Sequence, residues 1–232
     1  GSDVKINNTD ITNVDASSAE NYGAITIWSS AEAANVTVNG GNITVGDDSR
    51  EAYVFPADAT IEGVEDVGYI VATIGDAGFE TLEAAIKAAK AGQTIKLVRD
   101  ITASQIITID KAVTIDGNGH KLTSTAGRAI NIDTTGNVVI NDLTINAGER
   151  AINIINKAST VELNNVTATA KNNAVMIATS AGAVKLTIND SDLTGLAVVN
   201  VAGAGAEVEI NNTDITNVDA SSAENYGAIT IW

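Results

Sequence analysis

Along most of the chain, hydrophobic and polar positions alternate in short runs, and the runs recur on a period. Apolar–x–apolar triplets closed by a turn residue appear as Val113-Thr114-Ile115-Asp116, Val138-Val139-Ile140-Asn141, Val161-Glu162-Leu163-Asn164, Leu186-Thr187-Ile188-Asn189 and Val208-Glu209-Ile210-Asn211. The closing residues fall at 116, 141, 164, 189 and 211, giving steps of 25, 23, 25 and 22. Val36-Thr37-Val38-Asn39 is a further member of the series. Within residues 157–180 three runs follow one another, TVELN, VTATA and AVMIA, separated by Asn-Asn and Lys-Asn-Asn. Alternation sends one side chain inward and the next outward. Asn and Gly between the runs tolerate the left-handed backbone that a sharp corner needs. Three strands and three corners in 22–25 residues predict one coil of a right-handed parallel β-helix, with about seven or eight coils in an all-β chain. A β-sandwich is the competing fold. It would show hairpin turns every ~8–12 residues and no period near 24.

Two segments depart from this pattern. GFETLEAAIKAAKAG at 78–92 places Phe79, Leu82, Ile86 and Ala89 on one helical face, with Gly92 as the stop. The pattern predicts a short cap helix near 79–91 that covers the open edge of the first coil. The second departure is an exact repeat: residues 6–28 recur unchanged as 210–232. The match reaches back to Val4 and Val208, interrupted only by Lys5 against Glu209. Unbroken identity together with Gly1-Ser2, which has the look of a tag scar, predicts an engineered chain. A slice of a natural array of near-identical long repeats is the alternative. The expected organisation is residues 1–55 as transposed C-terminal coils, with 1–28 duplicating 205–232, then a connector at 56–68 and a β-helix with its cap at 69–232.

Composition narrows the chemistry. The 232 residues hold 29 acidic and 13 basic side chains, a net charge of −16, one His and no Cys. That balance excludes a nucleic-acid partner, which needs clustered cations. It also leaves no disulfide, no thiolate metal site and no multi-His cage. No apolar run approaches the ~20 residues of a membrane span. No cofactor is expected either: AGAGAE at 202–207 lacks the Lys and Ser/Thr of a phosphate loop.

The run YIVATIGDAGFETLEAAIKAAKAGQTIKLVRDI, followed by ITIDKAVTIDGNGHKLTS, resembles the start of β-helix domains of the pectin-lyase-like superfamily, especially modules of repetitive bacterial surface proteins. The resemblance implies a secreted or cell-surface protein. It also implies where catalysis would lie in members that cleave polysaccharides. Of the polygalacturonase motifs only Asn-Thr-Asp is present, as Asn8-Thr9-Asp10 and Asn212-Thr213-Asp214. An inverting hydrolase needs two facing carboxylates, and Asp190 and Asp192 could face solvent together, a pairing that an acidic, turn-rich chain produces by chance. For lyase chemistry the candidates are Arg128 and Arg150, with Asp133, Asp142 and Glu149 to gather calcium. Asp116-Gly117-Asn118-Gly119-His120 lacks the frame of an EF-hand loop. Aromatics for a sugar platform are restricted to Tyr22/Tyr226, Tyr53, Tyr69 and Trp28/Trp232. No catalytic, cofactor or metal site is therefore expected. The expected function is a non-enzymatic structural or adhesive surface module, reused as an engineered scaffold. The alternative is a polysaccharide-binding or polysaccharide-cleaving protein on the same fold.

The duplicated coil predicts the partner: the chain itself. Residues 1–55 are expected to dock on the coil at 205–232 through Val4, Lys5, Ile6, Asn7 and Trp28 against Val208, Glu209, Ile210, Asn211 and Trp232. An exact copy would set Glu over Glu, whereas Lys5 makes an opposite-charge pair worth about 0.2–1 kcal/mol. An extended connector of eleven residues, Pro56 to Asp66, covers ~36 Å against the ~38 Å that eight coils require. Docking within one chain and exchange between chains are both left open.

Overall fold

A computed structural model of the chain describes residues 3–13, 25–26, 35–39, 43–45, 53–54, 60–62, 67–75, 77–155, 159–218 and 227–232. The chain divides into two compact units, Gly1–Thr81 and Leu82–Trp232.

The larger unit is a parallel β-helix. Its first face stacks Thr94–Leu97, Thr114–Asp116, Asn137–Asn141, Thr160–Asn164, Lys185–Asn189 and Glu207–Asn211 in that order. The second face stacks Ile101–Ala103, Lys121–Ser124, Thr144–Ala147, Thr167–Ala170, Asp192–Gly195 and Asp214–Asn217. The third stacks Ile107–Ile109, Arg128–Ile132, Arg150–Ile154, Asn173–Ile177, Val199–Val201 and Ile229–Ile231. Among the described residues this unit therefore has six coils, a count slightly different from the seven or eight expected.

The triplet pattern is the cause of this register. Ile95, Ile115, Ile140, Leu163 and Ile188 stand one above another, every one with no exposed surface. Ile107, Ile130, Ile152, Val175 and Val199 form the matching column on the third face, equally buried. Between the inward positions the outward column runs Thr114, Val139, Glu162, Thr187 and Glu209, as the triplets require. A core of stacked Ile, Val, Leu and Ala needs no aromatic filler. It buries apolar surface at about 25 cal/mol per Å² through like-on-like contact between coils.

The helix is shorter than its periodicity suggests. It spans Leu82–Ala88, with Leu82, Ala85 and Ile86 buried against the first coil at Thr94–Leu97 and Ile107–Ile109. This is the capping role expected of it. Lys111 Nζ donates to the carbonyls of Lys87 (3.1 Å) and Ala89 (3.4 Å), placing a cation on the helix C-terminus. Phe79 belongs to a strand instead: Ala77–Phe79 pairs antiparallel with Ala72–Ile74 across a turn containing Gly75 at φ 58°. The left-handed turn folds the chain back before the helical pattern can begin, which removes Phe79 from the predicted face.

The smaller unit is also coiled. Asp3–Asn7, Asn35–Asn39 and Thr60–Glu62 stack in parallel, as do Ile11–Asn13, Ile43–Val45 and Val67–Tyr69. Ile25–Thr26 pairs with Tyr53–Val54. The register Val4–Val36 and Ile6–Val38 continues the triplet rule, with Val36 and Val38 buried. The segment 56–68 thus differs from a free connector: it supplies the strand Thr60–Glu62 and the start of Val67–Tyr69. These runs are too short, and too poor in Asn corners, for the period to mark them.

Candidate functional site

The polar side chains of the candidate motifs lie mainly at coil corners. Each first-face strand from the third coil on ends in Asn, and the amides form a ladder. Asn164 Nδ2 donates to Asn141 Oδ1 (2.9 Å), Asn189 to Asn164 (2.8 Å) and Asn211 to Asn189 (2.9 Å). The next residue takes the left-handed backbone, with φ between 45° and 53° at Asp142, Asn165, Asp190 and Asn212. Asn and Asp tolerate that region better than other side chains. They also bond across coils: Asn165 Nδ2 donates to Asp142 Oδ1 and Asn212 Nδ2 to Asp190 Oδ1, both at 2.6 Å.

This geometry assigns the Asn-Thr-Asp motif. Asn212 is the left-handed corner, and the Thr213 hydroxyl donates to the Asn211 carbonyl at 2.8 Å. The other copy does the same, with Asn8 at φ 47° and Thr9 Oγ1 donating to Asn7 O at 3.0 Å. Asp190 holds Asn212, while Asp192 opens the following strand in register with Asp214. Asp116 accepts the backbone N–H of Asn118 at 2.9 Å, a turn of the Asx type.

Of the residues weighed for lyase chemistry, Arg128, Arg150 and Glu149 come together, while Asp133 and Asp142 lie on different faces. Asp133 follows the third-face strand Arg128–Ile132, whereas Asp142 sits at the first-face corner. Arg128 and Arg150 are in register on the third face, and Arg128 Nε lies 3.5 Å from Glu149 Oε2. Arg150 Nη1 donates to Asn153 Oδ1 at 3.4 Å. Partial burial, then the neighbouring Arg128 charge, lowers the Arg150 pKa, with Glu149 opposing. Among the described residues no group of three His, Asp or Glu side chains is placed to hold a metal ion.

One cleft went unnoticed in the sequence. A cavity of about 230 Å³ is lined by Arg150, Asn172, Asn173, Leu196, Ala197 and Asn200. Asn173 Nδ2 donates to Ala197 O at 2.6 Å, and the buried Asn200 Oδ1 has no protein partner. The lining offers one cation and several amides without a carboxylate. Such a surface suits holding an acceptor-rich group and lacks an acid–base pair.

His120 Nδ1 faces Asp100 Oδ1 at 3.4 Å, and the same oxygen accepts the backbone N–H of Lys121 at 2.9 Å. That backbone hydrogen bond lowers the Asp100 pKa below 3.8; desolvation opposes it, and the hydrogen bond to His120 adds to it. Because the folded-state value is depressed, the contribution is present above the unfolded pKa and is lost as pH falls through the folded one. Asp100→Asn is therefore expected to flatten the acid limb of stability below about pH 4, measured as urea midpoints against pH.

The residues expected to dock lie at strand edges. Val4 is 47% exposed, Ile6 is half-buried, and Lys5 and Asn7 are exposed, all in Asp3–Asn7. Glu209 and Asn211 are exposed and Val208 and Ile210 half-buried in Glu207–Asn211, which pairs with Lys185–Asn189. Trp232 is 67% exposed, with its backbone N–H donating to Val201 O. Trp28, Tyr22 and Tyr226 lie outside the described residues, as do the side chains of Tyr53 and Tyr69.

Residues 77–176 match the family model described as "Putative pectate lyase-like adhesive domain". No curated protein and no solved structure matches the chain. Among the described residues no helix is long and apolar enough to cross a membrane. Stacked coils, Asn-ladder corners and this match agree: the larger unit is a parallel β-helix that fits the pectin-lyase-like fold, and residues 77–176 are similar to a pectate lyase-like adhesive domain.

Proposed function

We propose that the chain is a non-enzymatic structural and adhesive module of a bacterial surface or secreted protein. The observation that carries this reading is the role of the polar residues that resembled catalytic ones. Asn212, Thr213, Asp190 and Asp116 hold coil corners, and Arg128 pairs with Glu149. A carboxylate or amide fixed in a corner ladder is not free to approach a glycosidic bond as acid, base or nucleophile. The adhesive description of the matched family supports the same reading. The identity of 6–28 and 210–232 supports a second part of the proposal: one coil of the module has been copied by engineering, giving a scaffold with that coil present twice.

Incubation with uronate polymers and calcium at neutral pH, read by ultraviolet absorbance of unsaturated product, tests the first part. No product is expected. Turnover of any such polymer would overturn the proposal in favour of a polysaccharide-cleaving enzyme on this fold. A glycan array run beside it reports whether the Arg150–Asn200 cleft holds a sugar without cutting it.

A further inference from the structure

The two copies of the duplicated coil present apolar rings at strand edges. In the coil 207–231, Ile229 and Ile231 occupy inward positions in register with the buried Val199 and Val201, yet are 50% and 76% exposed. Val208, Ile210 and Ile215 of the same coil are only half-buried, although Leu186, Ile188 and Leu193 beneath them are buried. In the smaller unit the strands Asp3–Asn7 and Ile11–Asn13 repeat this exposure, whereas Ile25, the counterpart of Ile229, is buried. Val4 is 47% exposed, and Ile6 and Ile11 are half-buried, while Val36 and Val38 stacked against Val4 and Ile6 are buried.

Each edge has a partner elsewhere in the same chain that shows what it accepts. The strand Asp3–Asn7 receives Asn35–Asn39 on one side, so the identical Val-x-Ile-Asn of Glu207–Asn211 is shaped to receive a coil there too. The strand Glu207–Asn211 sits on Lys185–Asn189, so the first copy is equally shaped to sit on a Leu/Val-x-Ile-Asn coil. In both units the first-face strands pair in parallel in sequence order.

We infer that the coil at 207–231 is a docking surface for a second copy of this chain, which places its own coil 3–26 on it head to tail. The register sets Val4 on Val208, Lys5 on Glu209, Ile6 on Ile210, Asn7 on Asn211 and Ile11 on Ile215. Docking covers the exposed Val4 and the half-buried Ile6 and Ile11 with Val208, Ile210 and Ile215. It also joins two amide ladders: Asn211 ends the series from Asn141, and Asn7 already accepts from Asn39 Nδ2 at 2.9 Å. The one difference between the copies at this strand lies where an exact repeat would oppose Glu to Glu, and Lys5 replaces that repulsion with an opposite-charge pair.

A second copy fits better than closure within one chain. Closure would need the first copy to reach Glu207–Asn211 of its own chain on a segment whose strands Thr60–Glu62 and Val67–Tyr69 are already stacked within the smaller unit. A head-to-tail contact that does not close on itself propagates into an open filament.

Sedimentation velocity of the full chain across a concentration series tests this. The expected result is a mass that rises with concentration through successive multiples of the monomer. Ile231→Glu, at an exposed position that should tolerate a charge, is expected to weaken association at least tenfold. Lys5→Glu and Glu209→Lys are each expected to weaken it by about five- to tenfold, and the two together to restore it. A monomer at every concentration, association indifferent to Ile231→Glu, or failure of the double reversal to restore it would overturn the inference. None of these outcomes depends on the uronate assay, so the assembly and the non-enzymatic reading stand or fall separately.

Discussion

Replacing Ile152 with alanine is expected to lower the unfolding free energy by about 2–5 kcal/mol, among the largest single-site losses the chain can suffer. Ile152 has no exposed surface and lies between Ile130 of the coil before and Val175 of the coil after. Truncation removes the contacts on both sides at once. The cavity cannot collapse, because each neighbouring strand is held in register by backbone pairing along its whole length. Urea unfolding followed by circular dichroism measures the loss. Ile229→Ala, at an inward position that is half exposed, serves as the comparison and is expected to cost about 1 kcal/mol or less in dilute solution.

Gly117→Ala is expected to be comparably damaging for a different reason. A Cβ at this position would run into the Asp142 carbonyl oxygen and come within 2.6 Å of Leu143 Cα and Cβ. The clash is with the backbone of the next coil, at the corner where Gly117 N–H donates to Asn141 O at 2.8 Å. No side-chain rotation relieves it, so the corner must open and the ladder start must shift. A loss of about 3 kcal/mol follows, at the upper end of the range for overpacked sites. Gly119→Ala is the informative control. Nothing lies within 4 Å of a Cβ there, so its cost is confined to the left-handed φ of 79°.

The stack was legible because its signal is repeated. Val-x-Ile-Asn at steps of 22–25 residues leaves one arrangement in which every apolar residue finds an apolar neighbour, and the outward column from Thr114 to Glu209 followed directly. Features made by a single local event were harder to see. Phe79 satisfied the helical period, yet the turn at Gly75 placed it in a hairpin. The strand Thr60–Glu62 and the first two residues of Val67–Tyr69 carry no corner Asn and fall within the segment 56–68 read as connector. The cleft at Arg150 was invisible for a third reason. Its lining comes from residues up to fifty positions apart, brought together only when three coils stack, and no local pattern marks Asn200 as a side chain that will be buried with an unpartnered oxygen. The motif residues show the converse. Asn-Thr-Asp was conspicuous in sequence, and in the structure both copies build a coil corner, with Asn8 and Asn212 in the left-handed region and the Thr hydroxyls bonded to the preceding Asn carbonyls.

Coil-on-coil stacking with under-paired end coils is the central claim, and amide hydrogen exchange in dilute solution tests it most directly. Each coil draws its protection from the coils on either side, so protection should follow position in the stack. The slowest exchange is expected in Arg150–Ile154 and Thr160–Asn164, with a steady rise in rate toward Glu207–Asn211 and Ile229–Ile231. Equal protection of Glu207–Asn211 and Thr160–Asn164 at dilution, or interior strands exchanging as fast as the end coil, would contradict it.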